Sequence, residues 1–235
     1  MDVRIGTSGW NYTEWRGSFY PKDMKPAGML AYYAERFSTV EVNNTFYRMP
    51  TVKAVEGWAA TVPARFTFVL KAPQRITHFA RLRGVDELVH DFCETARRLG
   101  PRLGPLLFQL PPNFKVDAGR LADLLAVLPA DVRAAFEFRN ASWFTDAVYA
   151  RLAERNAALA SADNDDGATP AVATADWGYL RLRATGYDDD GLRGWLATMR
   201  RIGERWRDAF VFFKHEDEGT GPALGARLAK LLESA

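Results

Sequence analysis

Arg133-Ala134-Ala135-Phe136-Glu137-Phe138-Arg139-Asn140-Ala141-Ser142-Trp143 is the stretch of this chain whose reading decides the fold. Side chains alternate across an extended strand, so Phe136 and Phe138 face one way while Ala135, Glu137 and Arg139 face the other. Large aromatics on one face, and small then charged residues on the other, suit a strand of a parallel barrel. Helices cover the aromatic face, and the opposite face opens at the strand's carboxyl end into a polar mouth.

Outward from this stretch the chain repeats the same plan. Upstream, residues 3–8, 39–43, 66–71 and 104–109 read as strands; downstream, 157–162, 179–183 and 209–214 do the same. Between them, helical spacing of apolar residues predicts helices over 28–37, 52–62, 86–99, 117–128, 146–155, 191–206 and 223–232. The segment 163–175 reads as loop, which leaves any sixth helix vestigial. Strands alternating with helices, without a linker or a break in composition, predict one α/β domain over residues 1–235. Its expected form is a compact (β/α)8 TIM-type barrel with a reduced sixth helix. A doubly wound open sheet is the rival, but it normally carries a glycine-rich phosphate loop after strand one. Gly6-Thr7-Ser8-Gly9-Trp10 has neither G-x-G-x-x-G nor Walker A spacing.

The formal charge of +2 is compatible with an anionic ligand and too small to mark a nucleic-acid protein by itself. The single cysteine, Cys93, excludes an internal disulfide, and its place in a helical pattern predicts a buried thiol. No apolar run reaches membrane-spanning length, and Met1-Asp2-Val3-Arg4-Ile5 leads into a strand rather than a signal peptide. A cytoplasmic protein with no membrane partner is the expectation; the oligomeric state is open.

In a barrel of this kind the site lies at the carboxyl ends of the strands. Those ends carry Ser8, Glu41 and Asn43, Lys71, Gln109, Glu137 and Arg139, Asp163, Arg181 and Arg183, and Lys214 with His215. Period 2 puts Glu41 with Asn43, Lys71 with Thr67 and Val69, Gln109 with Leu107, and Tyr179 with Arg181 and Arg183. If the intervening apolar residues face the helices, these groups converge on one mouth, and the opposite ends of the strands are less densely charged. Glu41 and Glu137 are candidate catalytic carboxylates, dividing acid and base roles or those of nucleophile and acid. The competing reading ties each into a salt bridge, Glu137 with Arg181 or Arg139. Lys71 is the third catalytic candidate, as proton donor, anion clamp or Schiff-base amine, with anion clamp favoured. Arg139 and Arg181 offer planar forks for a carboxylate or phosphate. Trp10, Tyr12, Trp15, Tyr47 and Trp143 fall in loops at the mouth, where they would wall a sugar or a base, or simply cap the barrel.

Three histidines without H-x-H or H-E-x-x-H spacing give no metal motif, so neither a metal nor a cofactor is expected. His215-Glu216-Asp217 reads as a solvated charge run, and Asp188-Asp189-Asp190 as the acidic start of a helix.

Several motifs together resemble the domain-of-unknown-function 72 family, the YecE-like proteins. They are Gly6-Thr7-Ser8-Gly9-Trp10 with Tyr12 and Trp15, Phe19-Tyr20-Pro21, Val40-Glu41-Val42-Asn43-Asn44-Thr45-Phe46-Tyr47-Arg48, Lys71-Ala72-Pro73 with Ile76-Thr77-His78, Leu107-Phe108-Gln109-Leu110-Pro111-Pro112, and Phe136-Glu137-Phe138-Arg139 with Ser142-Trp143. The resemblance implies a TIM-type barrel and a shared pocket lined by Glu41, Asn43, Lys71, His78, Gln109, Glu137, Arg139 and Trp143. It implies no particular reaction. The chain departs from the family pattern at Arg183-Ala184, where His-Gly would be expected, and at Lys214-His215-Glu216, where an Asn-rich ending would be. The functional expectation is a metal-free hydrolase, lyase or isomerase for a small anionic or sugar-like substrate. The alternative is a nucleic-acid-binding or phosphodiester-processing protein resembling the abasic-site endonuclease barrels.

Overall fold

The structure is a computed structural model and describes residues 1–234. Eight parallel strands alternate with helices. In order they are β1 (Asp2–Thr7), α1 (Pro26–Ala34), β2 (Thr39–Val42), a short α2 (Asn44–Tyr47), α3 (Val52–Thr61), β3 (Thr67–Lys71), α4 (Asp86–Arg97), β4 (Leu103–Gln109) and α5 (Ala118–Val127). They continue with β5 (Ala134–Glu137), α6 (Asp146–Glu154), β6 (Ala158–Asn164), a two-residue β7 (Gly167–Ala168), β8 (Trp177–Leu182), α7 (Asp189–Ile202), β9 (Asp208–Phe213) and α8 (Thr220–Glu233). The pairing runs β1-β9-β8-β6-β5-β4-β3-β2, with β7 antiparallel to β6 at one edge. This is the expected TIM-type barrel.

Local chemistry sets the helix starts. Thr51, Asp117, Thr145 and Asp188 each accept a hydrogen bond from the backbone N–H three residues on, satisfying a donor that the first turn leaves free. Val89, Phe92, Cys93 and Ala96 of α4 recur at helical spacing and are all buried. Cys93 is thus a packed thiol, pushed up by burial to about 11.

The strands sort their side chains as period 2 requires. Phe136 and Phe138 join the outer core under the helices. Ala135 joins the barrel interior with Val69, Leu107, Ala158, Ala160, Trp177, Tyr179, Phe210 and Phe212. The interior is filled unevenly: alanines on β5 and β6 leave space for the rings of β8 and β9. The bottom, expected to be less densely charged than the mouth, carries an ion pair that spans it. Arg133 forks onto Asp208 at 2.8 and 2.9 Å and lies over the rings of Trp177 and Phe210.

The barrel closes between β1 and β2 through one parallel bridge, Ser8 to Glu41. Side chains reinforce this seam. The Tyr33 hydroxyl accepts from Thr7 N–H at 2.8 Å and donates to the Thr39 carbonyl at 3.1 Å. Gly6 allows the close approach, since a Cβ there would stand 2.2 Å from the Thr39 carbonyl oxygen.

Two regions differ from the sequence reading. The loop after strand two contains α2, and the loop after strand three folds into a single π-helical turn, Arg75–Phe79. The missing sixth helix is replaced by the β6–β7 hairpin and an extended return. Thr169 N–H donates to the Ala162 carbonyl, while Thr174 Oγ1 accepts from Leu159 N–H and donates to the Ala157 carbonyl. β5 pairs with β6 only at Ala135–Ala158 and Phe136–Leu159, so the two strands part toward the mouth. No helix among the described residues is long and apolar enough to cross a membrane.

Because Tyr33 satisfies backbone groups on both sides of the seam, Tyr33→Phe leaves a buried N–H and a buried carbonyl without that partner. We expect a loss of about 1–3 kcal/mol, seen as a lower urea midpoint with an unchanged slope. An unshifted midpoint would mean that the bridge alone holds the barrel shut.

Candidate functional site

At the carboxyl end of the barrel, above the interior rings, one guanidinium joins two carboxylates. Arg181 on β8 donates from Nη2 to Glu41 Oε1 at 2.7 Å and from Nη1 to Glu137 Oε2. All three side chains are buried. Each carboxylate has further donors. Glu41 Oε1 accepts from Ser8 Oγ at 2.7 Å and Oε2 from the Tyr179 hydroxyl at 2.5 Å. Glu137 Oε2 accepts from Gln109 Nε2 at 2.9 Å, while Oε1 meets Arg139 Nε at 3.1 Å and Arg183 Nη1 at 3.2 Å. β1, β2, β4, β5 and β8 therefore meet in one connected layer, with β3 joined through Lys71.

The electrostatics follow from this wiring. Burial alone would raise both glutamates, but Arg181 and the surrounding donors outweigh it and hold both below the ordinary carboxylate range. Burial and the neighbouring Glu41 push the Tyr179 hydroxyl well up, so it stays a donor. Lys71 Nζ donates to Gln109 Oε1 at 2.8 Å and stands 4.0 Å from the Phe46 ring centroid. Burial, followed by repulsion from Arg181, pushes Lys71 down to about 7. His78, lowered to about 4 by burial and then by Lys71 and Arg139, is neutral at neutral pH. Its Nδ1 lies 2.9 Å from Thr77 Oγ1, and its ring meets Phe46 edge-on at 4.8 Å.

The predicted residues therefore separate into groups. Ser8, Glu41, Lys71, Gln109, Glu137, Arg139 and Arg181 form the connected layer. Asn43 touches it through Nδ2 to the Ser8 carbonyl at 3.3 Å, and its Oδ1 is buried without a partner. Tyr12 donates to the same carbonyl at 2.7 Å. Asp163 lies to one side, accepting from Arg183 N–H at 2.7 Å, Trp195 Nε1 at 3.0 Å and the Tyr187 hydroxyl.

Three expected wall residues, Trp10, Trp15 and Trp143, are core instead. Trp10 packs edge-on against Trp58 and Phe68, and Trp143 stacks on Phe138 at 4.7 Å and donates to the Phe114 carbonyl. Both rings are held by neighbouring aromatics and show no open face. Trp15, likewise buried, stacks on Tyr20. Tyr47, by contrast, is 72 % exposed.

Period 2 puts Tyr179 and Arg183 on the face of Arg181, but the sequence reading gives neither a role in the site. It missed Phe46 and Phe79, which lie in segments it left as loop.

Where β5 and β6 part, a cavity of about 550 Å³ is lined by Phe138, Arg139, Asp163, Thr169 and Arg183 among others. Arg139 and Arg183 keep 35 and 17 % of their side-chain surface open, against 1 % for Arg181. A ligand can therefore reach the first two guanidiniums and not the third. Among the described residues no group of three or more His, Cys, Asp or Glu side chains is placed to hold a metal ion.

Residues 4–235 match the family described as "Protein of unknown function DUF72". The chain belongs to the DUF72 family. It is 24 % identical to UPF0759 protein YunF of Bacillus subtilis, with 98 % of this chain and 95 % of that protein covered. It is 31 % identical to UPF0759 protein YecE of Escherichia coli K12, over 60 % of this chain and 50 % of that protein. A DUF72 family protein from Thermotoga maritima has a solved structure that superposes with a TM-score of 0.87 at 25 % identity, covering 99 % of this chain and all of that one. Another, from Enterococcus faecalis, superposes with a TM-score of 0.78 at 19 % identity, covering 99 and 98 %. These likenesses place the chain in a family and a fold; the chemistry rests on this chain's own residues.

Removing Arg181 would leave two carboxylates buried together. We expect Arg181→Met to cost about 3–5 kcal/mol at pH 7. In the native chain both glutamates are depressed, so their stabilising contribution is present above the ordinary value of 4.5 and lost only as pH falls through the lower folded values. In the variant the same carboxylates would bind protons more readily than unfolded ones. The stability gap between variant and native chain should then narrow as pH is lowered from 7 toward 4.5. A gap of constant size in denaturant titrations across that range would show that the carboxylates do not depend on Arg181.

Proposed function

We propose that this DUF72 protein is an enzyme that binds a small anionic, sugar-like substrate at the barrel mouth and moves a proton through Lys71. The observation that carries the reading is the setting of Lys71. Its ammonium is buried between Gln109 and Phe46 and pushed down to about 7, so charged and neutral forms coexist at neutral pH. A group so poised serves well as general acid or base. Beside it, Arg139 and Arg183 present partly open guanidiniums suited to a carboxylate or phosphate.

Glu41 and Glu137 have a different part in this reading from the acid/base pair that the sequence suggested. Every carboxylate oxygen of the two is engaged, and both groups are held ionised. They act as positioning residues: Glu137 orients Arg139, Arg183 and Gln109, and Gln109 in turn holds Lys71. An isomerase, a lyase or a hydrolase would each use such a constellation. Of the three rings on which the nucleic-acid alternative would stack bases, Trp10 and Trp143 are buried and Tyr12 is half-buried.

Two measurements test the reading. Sugar phosphates and sugar acids screened by thermal shift should raise the melting temperature of the native chain. Arg139→Ala or Arg183→Ala should weaken that binding about tenfold or more, as expected for losing a charge-assisted hydrogen bond worth about 1.5–3 kcal/mol. Protonated Lys71 attracts the anion, so native affinity should fall as pH rises from 6 to 8.5, with a midpoint near the free lysine's value of about 7. Lys71→Met should lose that step. The proposal fails if no anion of either class binds, or if the step persists in Lys71→Met.

A further inference from the structure

Few large apolar side chains of this protein stand in solvent: Met1, Tyr47, Val52, Phe79 and Val116. The two aromatics among them, Tyr47 at 72 % exposure and Phe79 at 71 %, both belong to the segments that follow β2 and β3. Exposing two such rings is costly, and each follows in the chain a residue that lies near Lys71. Phe46, next to Tyr47, meets its ring edge-on at 5.1 Å and supports Lys71 from 4.0 Å. His78, next to Phe79, meets the same Phe46 ring, and lies near enough to Lys71 and Arg139 for both charges to lower its basicity.

Tyr47 also lies near the Tyr12 hydroxyl, which hydrogen-bonds the Ser8 carbonyl at the centre of the mouth. The local backbone holds these rings outward. Thr45 Oγ1 is tied to the Val42 and Lys71 carbonyls, anchoring α2 on β3, and the π-turn closes with Ala80 N–H on the Arg75 carbonyl. Arg48 and Arg75, at the far edges of the two segments, are exposed and add positive charge to the lip.

The mouth thus has two unlike ends. Toward β2 and β3 lies a lip of solvent-facing rings. Toward β5 and β8 lies the 550 Å³ cleft with Arg139 and Arg183. A plain sugar phosphate would use only the second end. A ligand with a flat ring at one end and a phosphate at the other would use both, and planar rings stack on exposed aromatics without regard to which base they carry.

From this arrangement we infer that the substrate class is a nucleotide, either free or at the end of a single strand. Its phosphate lies against Arg139 and Arg183, and its base lies on Tyr47 and Phe79. The inference rests on the anion-binding reading above and deepens it. It also relocates stacking from the buried tryptophans to rings that are open.

The test compares four probes by calorimetry at fixed salt: inorganic phosphate, ribose 5-phosphate, adenosine 5′-monophosphate and a 5′-phosphorylated single-stranded DNA hexamer. Proteins are the native chain, Tyr47→Ala/Phe79→Ala and Arg139→Ala. The two exposed rings carry little packing, so the double variant should melt with the native chain, which confirms that it folds. The native chain should bind the mononucleotide or the hexamer at least about tenfold more tightly than ribose 5-phosphate, as one stacked base warrants. The double variant should bring that ratio to within about twofold while ribose 5-phosphate affinity stays unchanged. Arg139→Ala should weaken all the phosphates that bind. A mononucleotide bound as tightly as the hexamer identifies a free nucleotide; a hexamer bound more tightly, with a steep salt dependence, identifies a strand end. If ribose 5-phosphate and both nucleotide probes bind equally to the native chain, or if the preference survives in the double variant, the inference is overturned and the anion site stands. If no phosphate binds at all, this inference falls, and the anion-binding reading falls with it if the sugar acids also fail to bind.

Discussion

One guanidinium holds the upper barrel together. Arg181 is buried with two carboxylates from opposite strands, and each carboxylate binds donors from other strands in turn. A buried ion pair adds little net stability, because desolvation consumes most of the attraction. A hydrophobic layer of the same volume would close the barrel at least as well. What the ionic layer does that an apolar one cannot is fix the direction of polar side chains. Gln109, Arg139 and Arg183 each reach Glu137; the two arginines keep part of their side chains open to the solvent side, while buried Gln109 turns its oxygen to Lys71. The layer is thus the floor of the site as well as the top of the core.

The same layer sets the charge state of what stands on it. Glu41 and Glu137 are held ionised by Arg181, which commits both terminal nitrogens of that guanidinium. Lys71 then sits near two guanidinium groups, those of Arg181 and Arg139, in a dry place, and its hydrogen-bond partner, Gln109, is neutral. Attraction to the two glutamates is insufficient to offset burial and the repulsion from Arg181, so the lysine loses basicity. A lysine with a dedicated carboxylate partner would have stayed charged and inert. The poised state of Lys71 is therefore a consequence of Gln109 standing where an acidic residue would have quenched it.

How much of this could be read from the sequence depended on periodicity. Where a strand was long and regular, the residues of its inner face were assigned correctly, and Glu137, Arg181 and Gln109 met as their register required. Loops were opaque for the same reason: they have no period. Trp10 and Trp143 looked like walls because they follow strands, but Trp143 finds Phe138 to stack on, and Trp10 finds Trp58 and Phe68. Tyr47 finds only Phe46 at its edge and stays open. Nothing local distinguishes these cases, since the partner comes from another element. The sixth connection was read as helix-poor, correctly, but composition could not say that the chain would return as a strand-like strap over β6.

That strap has a physical consequence for the mouth. α6, which follows β5, packs against β6, and a helix after β6 would in the same way lie toward β8. The extended return instead supplies Thr174 to Leu159 and Ala157 at the start of β6, and Thr169 to both backbone groups of Ala162 higher up, so these groups are satisfied without β5. β6 can part from β5 there because Thr169 satisfies the Ala162 backbone, and the gap becomes the cleft that exposes Arg139 and Arg183. Closing the gap would bury both guanidiniums as Arg181 is buried, and the barrel would keep its ionic layer but lose the part a ligand can touch. The shortened sixth unit is in this sense what turns a structural charge network into an accessible one.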